Sequence, residues 1–189
     1  MWHGGHFRCL LLAALLAAAG CFTRPAAAQR VSEYQVKAAY LYQFLNFVQW
    51  PQGAFRTSED AFEICLLGND PFGRDLDRIV EGKQVRGRRV QVQRLGGTAW
   101  PNHCHVLFIA VSERPRLSWI LDSVARQPLL TVSELREFEE QGGMIRFVVE
   151  SDNVRLHINP RAANDAGLQI SSKLLSVAAV VVKSNGGMP

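Results

Sequence analysis

The sequence lacks an apolar run long enough to cross a membrane as a helix, which needs about 20 residues. Its one extended apolar run, from Cys9 to Ala19, is shorter, follows Arg8, and precedes three alanines at 26–28. A basic start, a short apolar run and small residues predict a secretory signal peptide over residues 1–28, cleaved after Ala28. A lipoprotein signal with Cys21 as the modified residue is the alternative, although alanine stands where a leucine-like residue is usual.

The sequence also lacks a large excess of basic over acidic residues, or of acidic over basic residues. The formal net charge is +4, and loss of Arg8 and Arg24 with the leader would lower it to +2. So small and diffuse an excess does not indicate a nucleic-acid partner. No internal repeat, low-complexity run or linker divides residues 29–189, so they are expected to fold as one domain.

Cysteine is scarce once the leader is removed. Of four cysteines, Cys9 and Cys21 lie in the leader, and the exported chain would keep Cys65 and Cys104. Export leads to an oxidising compartment, where an even pair most simply forms one bond. We therefore expect a Cys65–Cys104 disulfide.

The motifs that signal cofactor binding or catalysis are absent. The chain has no G-x-G-x-x-G, no G-x-x-x-x-G-K-[ST] and no G-x-S-x-G. It is therefore expected not to be an enzyme and to need no cofactor. A hydrolase stays open only because residues that meet in space are invisible in a sequence.

The chain does contain helices that alternate with strands. Ser32 and Gln35 form a capping box before a long helix that ends at Trp50-Pro51. The apolar residues expected on the core side of this helix are Val36, Ala39, Tyr40, Leu41, Phe44, Leu45 and Phe47. Further strands are predicted at 61–67, 89–94, 106–111 and 129–132, and further helices at 75–80, 117–126 and 134–140, the last capped by Ser133.

The C-terminal third predicts an antiparallel hairpin with a helical cover. Apolar and polar residues alternate over 145–150 and 154–158 around a turn at 151–153. Asn159 and Pro160 are typical of a helix start, and helices are predicted over 161–166 and 171–183. The whole pattern predicts an α/β fold: one domain with a mostly parallel central sheet, an antiparallel hairpin and flanking helices.

Two local groups are candidate sites. One is the loop after the strand at 61–67, since open α/β sheets bind ligands at such ends; its candidate residues are Gly68, Asn69, Asp70, Phe72 and Gly73. The other is a metal site with ligands from His103, Cys104, His105 and His157. Alternation along a strand turns Cys104 away from the two histidines beside it, so no metal is expected.

Three stretches in the same order carry a resemblance to a known family. They are VKAAYLYQF at 36–44 with Trp50-Pro51, ICLLG at 64–68 with DPFG at 70–73, and GGMI at 142–145 leading to ISSKLL at 170–175. They resemble the YfiR family of exported proteins over nearly the whole mature chain. Cys65 and Cys104 match a cysteine pair of that family, whereas a second pair near the hairpin is absent.

The resemblance implies a small periplasmic α/β protein that represses an inner-membrane diguanylate cyclase of the YfiN type by binding its periplasmic domain. It also implies sequestration by an outer-membrane lipoprotein of the YfiB type; a homodimer is a further expectation. The residues expected to contact the partner are Arg155 and His157, on the face of the hairpin opposite its apolar residues, and Lys173. A periplasmic small-molecule sensor that uses the 68–73 loop is the alternative function.

Overall fold

The computed structural model describes residues 32–96 and 102–182. The leader predicted over residues 1–28, with Cys21, and the last predicted helical residue, Lys183, lie outside the described residues. Within them the helices, in chain order, are α1 (Glu33–Phe47), α2 (Arg74–Val80), α3 (Leu117–Val124), α4 (Pro160–Asp165) and α5 (Ser172–Ser176). The strands are β1 (Val48–Gln49), β2 (Phe62–Leu67), β3 (Gln84–Val85), β4 (Arg88–Leu95), β5 (Val106–Ile109), β6 (Leu130–Ser133), β7 (Ile145–Glu150), β8 (Asn153–Ile158), β9 (Gln169–Ile170) and β10 (Val180–Val181).

Eight of these strands form one sheet in the order β10-β8-β7-β6-β5-β2-β4-β3. Neighbouring strands are parallel except in the β7–β8 and β3–β4 pairs, which are antiparallel. The predicted mixed α/β domain with a mostly parallel sheet is therefore confirmed. Strands β1 and β9 form a separate antiparallel pair.

Helix α1 begins as predicted, because the Ser32 hydroxyl accepts from the Gln35 N–H and the Gln35 side chain accepts from the Ser32 N–H. Its core-facing side differs from the prediction at residues 37–39: Ala38, which was not predicted, is fully buried. Ala39 is exposed, whereas Lys37 is only 2% exposed. Lys37 is buried because its ammonium group contacts the carboxylates of Glu33 and Glu134, which supply opposite charge in place of water.

Two apolar cores lie on the two faces of the sheet. The first packs α1, α2, α4 and α5 against one face and includes Phe44, Ile64 and Phe147. The second packs α3 and the segment after β6 against the other face and includes Leu107, Ile120 and Phe138. Alternate residues of the central strands thus enter different cores, as expected of a sheet covered on both sides.

The predicted disulfide joins Cys65, in β2, to Cys104, just before β5, with their Cα atoms 5.8 Å apart. Both residues belong to the second core and are buried. The bond therefore links adjacent strands inside the molecule.

The helix predicted over 134–140 is wrong, because this segment forms turns. Ser133 lies in β6, where its hydroxyl donates to the Ile109 carbonyl at 2.7 Å, so it does not begin a helix. Glu137 has φ +59°, which ends any right-handed helical turn at that point. Gln141 to Met144 then lead directly into β7.

The helix predicted over 171–183 is also wrong beyond its first turn. Ser171, one of two serines that could begin this helix, caps α5, but α5 ends at Ser176 and the chain then enters the sheet as β10. Backbone bonds from Ala179 N–H to the Leu156 carbonyl and from Val182 N–H to the Ile158 carbonyl hold it there. The β-branched residues Val180 and Val181 favour a strand once an edge is available for pairing.

Candidate partner-binding surface

The β7–β8 hairpin separates its side chains between the two faces of the sheet, as predicted. Phe147 lies opposite Leu156 and Ile145 opposite Ile158, and all four enter the first core. Alternation therefore turns the remaining residues toward the other side of the sheet. We call this the outer hairpin face; its residues are Arg146, Val148, Arg155 and His157, with Val180 beside them on β10.

Part of this face is covered by the turns after β6, through an ionic cluster. Arg146 donates from Nε and Nη2 to the Glu139 carboxylate at 2.6 and 2.7 Å. The Nδ1 atom of His157 lies 3.1 Å from Oε1 of the same carboxylate. Glu139 is 5% exposed, so the cluster is largely shielded from water.

The bonds in this cluster keep the Glu139 carboxylate charged. Burial alone would raise the pKa of Glu139, but the hydrogen bonds from Arg146, from the backbone and from His157, with the positive charge of Arg146, together outweigh burial and hold the pKa below its ordinary value. The side-chain amide of Asn159 also donates to the Glu139 carbonyl at 2.9 Å. The segment that carries Glu139 is therefore clamped to the hairpin, and His157 belongs to this clamp.

The rest of the outer hairpin face is open. Arg155 is exposed, and its cross-strand neighbour Val148 is half-buried. Val180, in register with His157, is 42% exposed, and Val177 is 58% exposed. Strand β10 ends the sheet, so among the described residues no strand pairs with its outer edge. Arg155 and Val180 thus border a mixed polar and apolar surface.

Lys173, the third predicted contact residue, lies apart from Arg155 and His157. It is exposed at the start of α5, with its Nζ 5.5 Å from the centre of the Phe47 ring. Helix α5 packs on the first core, whereas Arg155 and His157 face the opposite side of the sheet. The structure brings two of the three predicted residues together.

The polar groups of the predicted ligand loop, residues 68–73, are largely bonded within the protein. Asp70 Oδ1 accepts from the Phe72 and Gly73 N–H groups, and Asp70 Oδ2 accepts from Arg94 Nε at 2.7 Å. Phe72 is buried against Phe108, with ring centres 4.8 Å apart. Gly68 approaches the next loop so closely that a Cβ would lie 2.4 Å from Ser112 Oγ. These contacts all hold the loop in place.

An open groove of about 390 Å³ nevertheless lies beside this loop. Asn69, Pro71 and Ser112 line one part of it, and Tyr34 and Glu134 line another. It lies at the carboxyl ends of β2 and β5, where the strand order reverses, which is the usual ligand position in an open α/β sheet.

The residues considered for a metal site either make other contacts in the fold or lie far from one another in the sheet. Cys104 is in the disulfide, and His157 lies three strands from β5 in the sheet. His105 is buried and stacks on Phe55 with ring centres 4.4 Å apart, and its Nδ1 accepts from the Glu63 N–H at 3.1 Å. In residues 32–96 and 102–182, three or more histidine, cysteine or acidic side chains do not meet in a metal-binding group.

Sequence reasoning missed Glu139 and Val180. Both fall in segments predicted to be helical, and a helix would not have placed these side chains beside the β7–β8 hairpin. The signal for Val180 was present in the run of β-branched residues at 180–182, which favours a strand. No local signal identifies Glu139, because its partner Arg146 lies beyond two turns.

Comparisons with known proteins agree with this fold. Residues 34–179 match a family model described as YfiR/HmsC-like. No curated protein matches the chain in sequence. A crystal structure of a conserved domain protein from Vibrio cholerae O1 biovar eltor is similar, with a TM-score of 0.55 and 11% identity. That likeness covers 80% of this chain but 60% of the Vibrio chain, and at this identity it shows the fold alone.

Proposed function

Because the chain belongs to the YfiR/HmsC-like family, we propose that it binds the periplasmic domain of an inner-membrane diguanylate cyclase and lowers the synthesis of cyclic-di-GMP. The family consists of periplasmic regulators of cyclic-di-GMP signalling and is regulatory rather than catalytic. Within the described part of this chain, no helix has the length and apolar character that a membrane crossing requires. A partner anchored in the membrane would therefore carry the signal inward.

The observation that supports a partner on the outer hairpin face is the composition of the edge strand beside it. Residues 176–182 contain no charged side chain, although β10 ends the sheet. Natural edge strands usually carry a charge or a proline that prevents pairing with another chain. An uncharged edge with Val177 and Val180 exposed is instead suited to pairing with a partner segment.

Arg155 and the clamp complete this surface. The exposed guanidinium of Arg155 adjoins Val148, and arginine next to apolar side chains is typical of the energetic centres of interfaces. The Glu139–Arg146 pair fixes the covering segment, so the face requires little ordering when a partner binds. A YfiB-type outer-membrane lipoprotein would relieve repression by competing for the chain.

The test is a titration of the purified protein with the periplasmic domain of the cyclase. Val180→Lys places a charge on the open edge and should weaken binding at least tenfold, and Arg155→Ala should weaken it about fivefold. His157→Ala should also weaken binding, but through the clamp, so its melting temperature will fall as well. Arg126→Ala, an exposed change outside the β7–β8 hairpin and β10, is the control and should bind as wild type.

Wild-type affinity in stably folded Val180→Lys and Arg155→Ala variants would place the partner elsewhere, and Lys173→Ala would then test the α5 side. A change of oligomeric state in Val180→Lys without a change in cyclase binding would assign the edge to a homodimer. The N-terminus of the exported protein should be Gln29; a lipid-modified Cys21 would show a lipoprotein instead.

A second candidate function is a small-molecule sensor that uses the groove beside Asn69. Its position at the strand carboxyl ends favours this use, while the internal bonds of Asp70 leave few free polar groups for a ligand. A ligand at 100 times its dissociation constant would stabilise the protein by about 2.7 kcal/mol, which a thermal-shift screen against metabolites would detect.

A further inference from the structure

The β3–β4 hairpin at one end of the sheet concentrates positive charge. Residues 82–94 contain no aspartate or glutamate but five cations: Lys83, Arg86, Arg88, Arg89 and Arg94. Arg94 is neutralised by Asp70 and Asp77, at 2.7 Å from each. The other four form no ion pair with any described residue, and three of them are exposed. The chain has a small net charge, but its free cations are not evenly spread.

Two of these guanidinium groups are held in place by neutral oxygens. Arg86 Nη2 donates to the Val48 carbonyl at 3.1 Å. Arg88 Nη1 donates to the carbonyls of Thr57 and Asp60 at 3.0 and 2.8 Å, and the group lies 4.0 Å from the centre of the Phe55 ring. Carbonyl oxygens fix the orientation of these groups without cancelling their charge. Each arginine keeps further N–H donors for an anion.

Protection of the sheet edge does not explain this concentration of charge. Strand β3 pairs only with Arg88 and Arg89, so within residues 32–96 and 102–182 no strand pairs with the outer side of β4 along most of its remaining length. That longer edge carries Gln91, Gln93 and the neutralised Arg94, and no free cation. The unpaired charges thus lie around the two-residue strand β3 that ends the sheet, and not along the longer open edge of β4, so protection against pairing does not account for all of them.

We infer that the β3–β4 hairpin binds the anionic phospholipid headgroups of a membrane surface, through Lys83, Arg86, Arg88 and Arg89. A sugar polymer would normally stack on exposed aromatic side chains. Residues 82–95 contain no aromatic residue, and the described ring that contacts them, Phe55, is half-buried beneath Arg88. The four cations flank the turn of the hairpin on both faces of the sheet, since Arg88 and Arg89 are consecutive residues of β4. The end of the hairpin can therefore place them among several phosphates of a planar surface. This contact does not depend on the proposed cyclase partner, but it would concentrate the protein at the membrane in which such a partner lies.

The test is partitioning of the purified protein onto vesicles of phosphatidylcholine, with or without about 30% phosphatidylglycerol. Wild type should bind only the anionic vesicles and should be released by 1 M salt, which shortens the screening length to about 3 Å. Lys83→Gln with Arg89→Gln removes two exposed charges and should lower the partition coefficient about 25-fold, since each basic residue near an anionic surface contributes roughly fivefold.

Arg114→Gln with Arg126→Gln is the matched control, because it makes the same change in net charge at exposed positions outside the hairpin. It should change the partition coefficient less than twofold. If both double variants lose the same amount of vesicle binding, the effect depends on net charge alone and the proposal is wrong. It is also wrong if wild type binds neutral and anionic vesicles equally. Tighter binding to a soluble polyuronate than to vesicles of the same charge concentration would assign the hairpin to a polysaccharide instead.

Two further measurements separate this inference from the proposed function. Melting curves should show that both double variants remain folded, since Lys83 and Arg89 make no side-chain bond among the described residues. The affinity for the soluble cyclase domain should be unchanged in the variant that carries Lys83→Gln and Arg89→Gln in the β3–β4 hairpin. If cyclase binding fails in wild type while vesicle binding holds, the proposed function falls and the membrane contact stands.

Discussion

Val180 lies directly opposite His157 across the parallel β8–β10 pair. One of these residues is exposed on an uncharged edge, and the other is tied to a buried carboxylate. The open edge of β10 therefore lies directly beside the ionic cluster around Glu139. This relationship makes the C-terminal strand part of the outer hairpin face.

Replacing both Cys65 and Cys104 by serine should lower the free energy of unfolding. The bond closes a loop with a sequence separation of 39, for which the chain-entropy estimate is roughly 4 kcal/mol. Urea unfolding of the variant and of wild type, with and without reductant, measures the effect. Wild-type protein that unfolds at the same urea concentration in either condition would contradict it.

Replacing Lys37 by methionine should destabilise the protein by about 3 kcal/mol, because it leaves the Glu134 carboxylate nearly buried without its cation. Burial by itself lowers the pKa of Lys37, but the bonds from Glu134 and Glu33 outweigh it and raise the pKa, so the ammonium group stays charged. Adding Glu134→Gln should recover part of the loss. Urea unfolding of Lys37→Met, Glu134→Gln and the double variant tests this. If the two single losses in the free energy of unfolding simply add in the double variant, the Lys37–Glu134 pair does not contribute to stability.

The stability of the fold should decrease between pH 7.5 and 5 because of His105. Burial lowers the pKa of His105 from 6.5 to about 4 in the folded chain. As the pH falls below 6.5, the unfolded chain binds a proton here and the folded chain does not, so unfolding becomes easier. The expected loss is about 2 kcal/mol at pH 5, and it levels off below pH 4.

Urea unfolding across this pH range measures the His105 effect. His105→Asn keeps an acceptor for the Glu63 N–H and should remove most of the pH dependence, although it lowers stability at every pH. The exposed His103→Asn is the control and should keep the wild-type slope. A slope that survives in His105→Asn would assign the pH dependence to other groups.

Replacing Gly143 by alanine should disturb the clamp over the outer hairpin face. An added Cβ would lie 2.3 Å from the Phe138 ring, so Phe138 and the neighbouring Glu139 segment must shift. Overpacking of this kind costs about 1–3 kcal/mol. Gly53→Ala, whose added Cβ meets nothing within 4 Å, should change the melting temperature little. Equal melting temperatures for both variants would show that Phe138 moves freely.

Local signals in the sequence were sufficient for most of the fold. The Ser32 capping box, the Asn159-Pro160 start of α4 and the alternation in β7 and β8 involve residues within a few positions of one another, and all three predictions are confirmed. Six of the eight strands of the central sheet were also identified, because their apolar runs are short and bounded by turn residues; β3 and β10 were missed.

The remaining errors arise where a distant partner decides the local structure. Val180 joins the sheet because β8 offers it an edge, and spacing alone placed it in a helix. Glu139 and Lys37 are held by Arg146 and Glu134, residues that no local pattern connects to them. For the same reason the exposed position of Arg155 could be predicted, whereas the attachment of His157 to a covering segment could not.

The bond between Tyr34 and Glu134, 100 residues apart, has a consequence for the newly made chain. Synthesis proceeds at about 5–20 residues per second, so α1 emerges roughly 5–20 seconds before the strands β7 and β8 on which its Phe44 packs. During that interval β2 and α2 can cover part of the apolar side of α1, but the part that packs on β7 and β8 has no native surface to cover it. Folding of this protein is therefore a late, long-range event, and the first helix is the segment that a chaperone has the most time to bind.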